Sequence, residues 1–211
     1  MAGYAVLDCE TTGFRTSDRI IELAYVLVSE TGQFEGQWAT LVNPSRQVAN
    51  SDIHGITDRD LVGSPTFKQL APNLVRSLSG RTLVAHNASF DMRFLDQEML
   101  RAGYVLPYRP PSLCTMKWSN RVFKVRKLAL ACAAAGIALD DAHEALADTR
   151  ATAQLLIRLL DDVKNHPEWN SDAAESASFP WPEMPYRAAI DIKPRVPYRQ
   201  IGFGPELVPA V

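Results

Sequence analysis

The sequence predicts an α/β domain in which a mixed β-sheet is covered by helices. Residues 4–42 contain three apolar stretches separated by turn residues, which is typical of an antiparallel meander. The chain then alternates short apolar runs with segments whose apolar residues recur at helical spacing. With 211 residues and 46% hydrophobic residues, it has enough length for one sizeable core and a remainder.

The first three strands form the predicted meander. Tyr4 to Leu7 is an apolar run suited to a strand buried on both faces, and Thr11 to Gly13 predicts a turn after it. Residues 19–29 follow as the second strand, and residues 34–42 return as the third after a tight turn at Thr31-Gly32.

Helices and short strands alternate downstream. The predicted helices are residues 66–78, 90–101, 127–135 and 145–160, and the predicted short strands are 82–86 and 113–115. Before the first helix, His54 is expected in a loop, with Asp58 as a nearby helix N-cap. Asn87 and Ser89 are expected to cap the second helix with their side chains.

The composition changes beyond residue 160. Eight of the 14 prolines lie in residues 161–211, and prolines disfavour helices and central strands. We therefore divide the chain into a domain of residues 1–160 and a Pro-rich C-terminal arm of residues 161–211, predicted to be extended. Trp169, Trp181 and Tyr186 favour packing of this arm on the domain. An arm that is free to bind a partner is the alternative.

Composition narrows the location of the protein. Three scattered cysteines favour free thiols in a reducing compartment. No apolar run approaches the roughly 18 residues that a membrane span needs, and the first strand starts too near Met1 to leave room for a signal peptide. We therefore expect a cytoplasmic protein with no membrane partner. The formal charge of −2 gives no overall indication of nucleic-acid binding.

Acidic residues follow the predicted strands and helix starts. Asp8 and Glu10 are two residues apart at the end of the first strand, so extended backbone points both carboxylates to one side. Buried like charges need compensation, and an all-oxygen pair suits Mg²⁺ or Mn²⁺. A solvated strand end is the alternative. Asp91 and Asp148 lie at predicted helix starts, where they could simply complement a helix dipole. His143 would extend from the loop before the last helix, or be an exposed histidine.

Three motifs in order resemble those of one family. Asp8-Cys-Glu10-Thr-Thr-Gly, His86-Asn-Ala-Ser-Phe-Asp91 and His143-Glu-Ala-Leu-Ala-Asp148 are similar to the motifs of the DEDDh (DnaQ-like) 3′–5′ exonucleases. His54-Gly-Ile-Thr between the first two fits as well. The resemblance covers about residues 4–160 and implies a ribonuclease-H-like α/β fold. Thr149 is a departure, because the family often has alanine there.

The resemblance implies a catalytic site. Asp8, Glu10, Asp91 and Asp148 would hold two Mg²⁺ or Mn²⁺ ions, and His143 would be the general base that takes a proton from the attacking water. The expected reaction is hydrolysis of the terminal phosphodiester, which releases 5′-mononucleotides from a 3′ end.

The resemblance also implies contacts to the terminal nucleotide. Thr11 and Thr12 would meet its sugar, and Phe14 could wedge beside its base. Phe90 is a second candidate for stacking on a base. For both phenylalanines, packing in the core is the alternative.

Further candidate contacts lie outside the acidic motifs. His54 and Asn87 could contact a phosphate or sugar, although Asn87 could be only a helix cap. Residues 117–127 interleave five cations with two aromatic residues. This run could follow a nucleic-acid backbone, or it could be a solvated helix face whose aromatics lie in the core.

Three functions follow from these motifs. The leading hypothesis is a metal-dependent 3′–5′ exonuclease acting on single-stranded or frayed DNA. The same acids would serve an exoribonuclease, because they do not select the sugar. The third hypothesis is a nucleic-acid-binding or polymerase-accessory module with a vestigial site, against which the presence of all four acids and His143 argues.

Overall fold

The computed structural model describes residues 2–49, 51–139, 144–185 and 193. In these residues five strands form one sheet: β1 (Tyr4–Thr11), β2 (Ile20–Val28), β3 (Phe34–Leu41), β4 (Thr82–Ala85) and β5 (Leu113–Cys114). The helices described are α1 (Ser51–His54), α2 (Phe67–Leu78), α3 (Ala88–Ala102), α4 (Thr115–Val122), α5 (Leu128–Ala134), α6 (Ala145–Val163) and α7 (Pro167–Ala177). None of these helices is long and apolar enough to cross a membrane.

The sheet is mixed, as predicted. Its strand order is β3-β2-β1-β4-β5, with antiparallel pairing from β3 to β1 and parallel pairing from β1 to β5. The carboxyl ends of β1, β4 and β5 therefore lie at one edge of the sheet. Ligand sites of open α/β sheets form at such an edge.

The central strand β1 sends alternate side chains into two separate cores. Ala5, Leu7 and Cys9 face α2 and α3, whereas Tyr4 and Val6 face the side covered by α4 to α7. This alternation follows from the two-residue period of an extended strand. Every side chain on β1 is thereby assigned to one helical layer or the other.

Some predicted boundaries were wrong near the first strand and its following segments. β1 includes Asp8 and Glu10 as predicted, but it ends at Thr11, which was predicted to lie in the turn and instead pairs with β2. His54 is the last residue of the short helix α1 instead of a loop residue. Asp58 caps no helix that the structure describes; residues 58–63 are turns, and its carboxylate accepts a hydrogen bond from the Val48 N–H at 2.9 Å.

The second predicted capping site was also wrong. α3 begins at Ala88, two residues earlier than predicted, and Asn87 is its N-cap residue without a side-chain capping hydrogen bond. Asn87 has left-handed backbone with φ of 70°, a conformation that asparagine tolerates better than most residues. The turn from β4 into α3 is therefore made by the Asn87 backbone.

The arm is helical where an extended chain was predicted. α6 continues to Val163, and α7 starts with Pro167 in its first turn, where a proline costs no hydrogen bond. Trp169 of α7 is 1% exposed and packs edge-on against Trp118 of α4, with ring centroids 5.2 Å apart. Composition therefore misled the prediction for residues 167–177.

The expected packing of the arm is confirmed for its two described tryptophans. Trp169 lies in the core beneath α4 to α7, and Trp181 packs edge-on against Phe179 on the α2–α3 side. Tyr186 lies outside the described residues. Lys193 accepts a hydrogen bond from the Leu41 N–H at 2.8 Å, at the β3 edge of the sheet. The division of the chain at residue 160 stays a prediction.

Candidate active site

Three of the predicted acids meet at the carboxyl edge of the sheet. Asp8 and Glu10 project from β1 toward the face covered by α6, and Asp148 lies in the first turn of α6. One carboxylate oxygen from each of the three lies within 4.8 Å of the other two. We call Asp8, Glu10 and Asp148 the acid trio.

A buried glutamate on β2 holds the start of α6 against this face. Glu22 is directly opposite Glu10 in the antiparallel register and is 1% exposed. Its Oε2 accepts a hydrogen bond from the N–H of Ala145, the first residue of α6, at 3.2 Å. Asp148 is three residues further on, so this contact helps to place Asp148 over β1. Sequence reasoning missed Glu22, although an acid inside an otherwise apolar strand was a visible signal.

Asp91 reaches the site from the opposite face of the sheet. It lies in the first turn of α3 and is 5% exposed, and its Oδ1 accepts a hydrogen bond from Cys9 Sγ at 3.4 Å. Burial raises the pKa of Asp91 to about 7, against the lowering effect of hydrogen bonds from Cys9 and from backbone. In the absence of a cation, Asp91 is therefore close to half protonated at neutral pH.

The acids repel one another strongly. Burial is the largest cause that raises the pKa of Asp8 well above its usual value, followed by the charge of Asp91 and then that of Asp148. Glu10 and Glu22 add to the effect. A divalent cation would relieve this repulsion, and carboxylate oxygens are the ligands that Mg²⁺ and Mn²⁺ prefer. The donor set therefore fits the implied metal.

α6 begins just after the histidine of the third motif, at the position that the sequence predicts. Ala145 is the first helical residue, as predicted, and Glu144 is the N-cap residue, whereas His143 itself lies outside the described residues. Thr149, the departure from the family pattern, is fully buried and donates a hydrogen bond from its hydroxyl to the Ala145 carbonyl at 2.5 Å. Its extra polar group is thus satisfied within α6.

The two threonines after the first motif hold the loop between β1 and β2. Thr11 Oγ1 donates to the Gly13 carbonyl at 2.8 Å, and Thr12 Oγ1 accepts from the Arg19 N–H at 3.0 Å. Thr12 is 2% exposed. These contacts fix the loop of residues 12–19 beside the acid trio, and a contact of either threonine with a sugar stays a prediction.

The same loop presents an exposed aromatic ring. Phe14 is 66% exposed, which rules out the alternative of core packing. Its ring centroid is 6.1 Å from that of Phe90, which is half-buried and packs 4.8 Å from Phe94. The Arg93 guanidinium lies over Phe90 at 5.5 Å and donates to the Phe14 carbonyl at 2.9 Å. The pair offers an open apolar surface next to the acids.

Charged contacts tie this loop to α3. Arg19 makes a two-point ion pair with the buried Glu98, with nitrogen–oxygen distances of 2.5 and 2.9 Å. Arg101 contacts the same carboxylate at 3.2 Å and also donates to the Thr16 carbonyl. The loop that carries Phe14 is therefore held in place from several directions.

The remaining two predicted contacts differ in exposure. His54 is 2% exposed; its Nδ1 accepts from the Ile56 N–H at 3.1 Å and its Nε2 donates to the Ala49 carbonyl at 3.2 Å. These contacts hold its own loop together. Asn87 is exposed directly before α3. Contacts of His54 and Asn87 with substrate stay predictions.

Part of the cation run is engaged within the protein. Lys117 and Arg121 on α4 each contact Glu168 of α7 at 2.6 Å, and Trp118 between them is 1% exposed. For α4 the alternative reading is therefore right: the aromatic residue belongs to the core, and the cations fasten α7.

Comparison with known proteins agrees with this geometry. A family model described as an exonuclease matches residues 5–156. The chain is 33% identical over 168 residues to the PolC-type DNA polymerase III of Thermotoga petrophila, and the match covers 77% of this chain but 12% of that protein. The chain thus spans only a small part of this relative's length.

Solved structures share the fold. Exonuclease X in complex with 5′ overhanging duplex DNA is 27% identical with a TM-score of 0.62, covering 82% of this chain and 99% of that one. The nuclease domain of 3′hExo, a DEDDh family member bound to rAMP, is 20% identical with a TM-score of 0.66, covering 76% and 92%. From its matched residues and its motifs, the chain belongs to the exonuclease family, and its fold is the ribonuclease-H-like fold of the DEDDh exonucleases.

Proposed function

We propose that this exonuclease removes nucleotides one at a time from the 3′ ends of DNA, single-stranded or frayed, and needs divalent metal ions to do so. The observation that carries the proposal is the acid trio, whose oxygens lie within 4.8 Å of one another. The DNA bound in the exonuclease X structure and the polymerase identity of the PolC-type relative favour DNA over RNA.

The four acids would hold the metal. Asp8, Glu10 and Asp148 would bind a Mg²⁺ or Mn²⁺ ion, and Asp91 would join Asp8 in holding a second one. Ions bound in this way stabilise the charge that develops on the attacking and leaving oxygens of an in-line displacement.

Other side chains would bind and orient the substrate. Phe14 and Phe90 would stack on the terminal base, an interaction worth about 1–3 kcal/mol per base. The loop of residues 12–19 would keep Phe14 in position, because Glu98 and its two arginines hold that loop. His143 would take the proton from the attacking water, since an imidazole with an ordinary pKa near 6.5 is effective as a base close to neutral pH.

The experiment that tests the proposal uses DNA and RNA oligonucleotides of one sequence, each labelled at the 5′ or the 3′ end. With Mg²⁺ or Mn²⁺, the 5′-labelled DNA should shorten step by step, and the 3′-labelled DNA should release a labelled mononucleotide at once. Cleavage that persists in EDTA would contradict the metal requirement. Faster loss of RNA would identify an exoribonuclease, and binding without cleavage an accessory module.

A polymerase is the partner that the comparisons favour. The PolC-type relative is a DNA polymerase, and this chain matches one segment of it. If this chain serves a polymerase in the same way, adding it to primer extension should increase the removal of mismatched 3′ ends over matched ones. Equal removal of both ends would count against a proofreading role.

A further inference from the structure

The cations that follow α4 differ from those on α4 itself. Lys124, Arg126 and Lys127 lie in the connection between α4 and α5, and all three are exposed. Within the described part of the chain, none of these three side chains is in an ion pair, whereas Lys117 and Arg121 are paired with α7. We call Lys124, Arg126 and Lys127 the basic loop.

The basic loop is attached to the carboxyl edge of the sheet, at the end of β4. His86 directly follows β4, five residues before Asp91, and its Nε2 donates to the Arg126 carbonyl at 2.7 Å. The other ring nitrogen, Nδ1, then accepts from Thr115 Oγ1 at 3.0 Å. His86 thereby joins the basic loop to the strand end from which α3 and Asp91 begin.

The helix after the basic loop leads to the acid trio. α5 begins directly after Lys127 and packs against α6, the helix that carries Asp148. Ala131 of α5 and Leu146 of α6 share one core cluster. Ala131 is four residues after Lys127, which is about 6 Å along a helix axis. The basic loop is therefore connected to the start of α3, which carries Asp91, through His86, and to α6, which carries Asp148, through α5.

The backbone of the basic loop has a defined shape. Lys124 has φ of 62°, and its Nζ donates to the Arg121 carbonyl at 2.9 Å, which closes the end of α4. Left-handed backbone is unfavourable for a lysine, so such a turn is kept only where its surroundings determine it. The His86 contact to the Arg126 carbonyl and the Lys124 turn therefore hold the backbone from which these side chains extend.

Exposed cations beside the site can bind an anion, and the backbone of a nucleic-acid substrate is anionic. A strand whose 3′-terminal phosphodiester lies at the acid trio carries further phosphates a nucleotide or more upstream. We propose that the basic loop binds the backbone phosphates of the substrate strand upstream of the scissile bond. This inference rests on the proposed function, since the trio must be where the 3′ end lies. Such contacts hold the strand without reading its sequence.

The test is binding of a fluorescent single-stranded oligonucleotide in EDTA, measured by anisotropy at several salt concentrations. Each phosphate contact to a single strand contributes about 0.7 to the slope of log affinity against log salt. Arg126→Ala/Lys127→Ala should bind more weakly and lower this slope by about 1.4. Lys117→Ala/Arg121→Ala removes the same charge and should leave the slope as in the wild type.

A charge-preserving variant and a minimal substrate complete the test. Arg126→Lys/Lys127→Arg should retain the wild-type slope, and thermal melting shows that each variant folds. With metal, the loss of kcat/KM in Arg126→Ala/Lys127→Ala should be at least tenfold larger for a long oligonucleotide than for a nitrophenyl ester of a mononucleotide. Equal slopes for the two double alanine variants would overturn the inference. Loop-dependent binding by a wild type that cleaves no nucleic acid would instead overturn the proposed function.

Discussion

The acids of the site approach it from the two opposite faces of the sheet. Asp8 and Glu10 lie on the face of β1 that α6 covers, and Asp148 joins them from α6. Asp91 comes from α3 on the other face and contacts Cys9, the β1 residue between the two acids. The acid trio is half-exposed, whereas Asp91 is 5% exposed.

This difference in exposure gives the acid trio and Asp91 different roles: one in holding a cation and one in linking metal binding to pH. The acid trio has the proximity to hold a cation by itself, while Asp91, the most buried of the four acids, has a charge that changes near neutral pH. Without a cation Asp91 titrates at a pKa of about 7, because burial disfavours its charged form. Occupancy of the trio should therefore change the protonation of Asp91, which links metal binding to pH.

The largest expected effect comes from Asp8, which belongs to the acid trio and also interacts electrostatically with Asp91. Asp8→Asn should lower exonuclease activity by on the order of 10³-fold, because it removes a ligand from the proposed metal site. In EDTA the same variant should melt at a higher temperature than the wild type, since the buried charge that raises the pKa of Asp8 is gone. Labelled-oligonucleotide cleavage and thermal melting measure the two effects.

Asp161→Asn is the matched control for this substitution. Asp161 is exposed near the far end of α6, so both activity and melting temperature should stay close to the wild type. An Asp8→Asn protein that cleaves DNA at a near-normal rate would show that the trio does not hold the catalytic metal.

The second effect concerns how the trio is assembled. Glu22→Ala should lower metal affinity by about 10- to 100-fold, the range found when a residue that orients a ligand is removed. Glu22→Gln keeps an oxygen that can accept from the Ala145 N–H, so it should recover much of this loss. Calorimetric titration with Mn²⁺ separates the variants. Equal losses in both would show that the charge of Glu22, and not its hydrogen bond, is what the site uses.

The sequence predicts which acids belong to the site better than it predicts how the structure arranges them. The two-residue spacing of Asp8 and Glu10 correctly indicated a shared face, because the period of a strand is local. The side on which Asp91 lies depends on which face α3 covers, and the burial of Glu22 depends on the register between β1 and β2. Neighbouring residues determine neither the face that α3 covers nor the register between β1 and β2. The motifs alone therefore could not predict the side of Asp91 or the burial of Glu22.

The arm shows the same limit for the fold. The mixed sheet followed from strand and helix periodicities, but α7 was missed because the prolines of the arm were taken together. Pro167 lies where a helix accepts proline, and the prolines at 180, 182 and 185 come after α7 ends. One contact that holds α7 in place joins Trp169 to Trp118, which is 51 residues away in sequence. Such a contact has no local signal.

The third prediction sharpens the contrast in protonation. The raised pKa of Asp91 means that the folded, metal-free protein holds this proton up to a pH of about 7. That proton stabilises the fold fully below the ordinary carboxyl pKa of about 3.9, and its contribution is lost as the pH rises through about 7. Because a metal ligand must be deprotonated, Mn²⁺ binding at pH 6.5 should release more protons than at pH 9.

Calorimetry in two buffers of different ionisation enthalpy measures this release. In Asp91→Asn the number of protons released at pH 6.5 should fall, since one of the carboxyl groups with a raised pKa is gone, while binding at the trio remains. Release that is the same at both pH values in the wild type would contradict a coupling between metal and Asp91.

The smallest expected effect comes from the contact between Cys9 and Asp91 on the α2–α3 face of the sheet. The hydrogen bond from Cys9 Sγ lowers the pKa of Asp91, so Cys9→Ala should raise that pKa further and move the rise of metal affinity with pH to higher pH. Cys9→Ser keeps a donor at this position and should shift the profile less. Cys114→Ala on β5 is the matched control and should leave the profile unchanged. An unshifted profile in Cys9→Ala would show that the thiol hydrogen bond does not influence the protonation of Asp91.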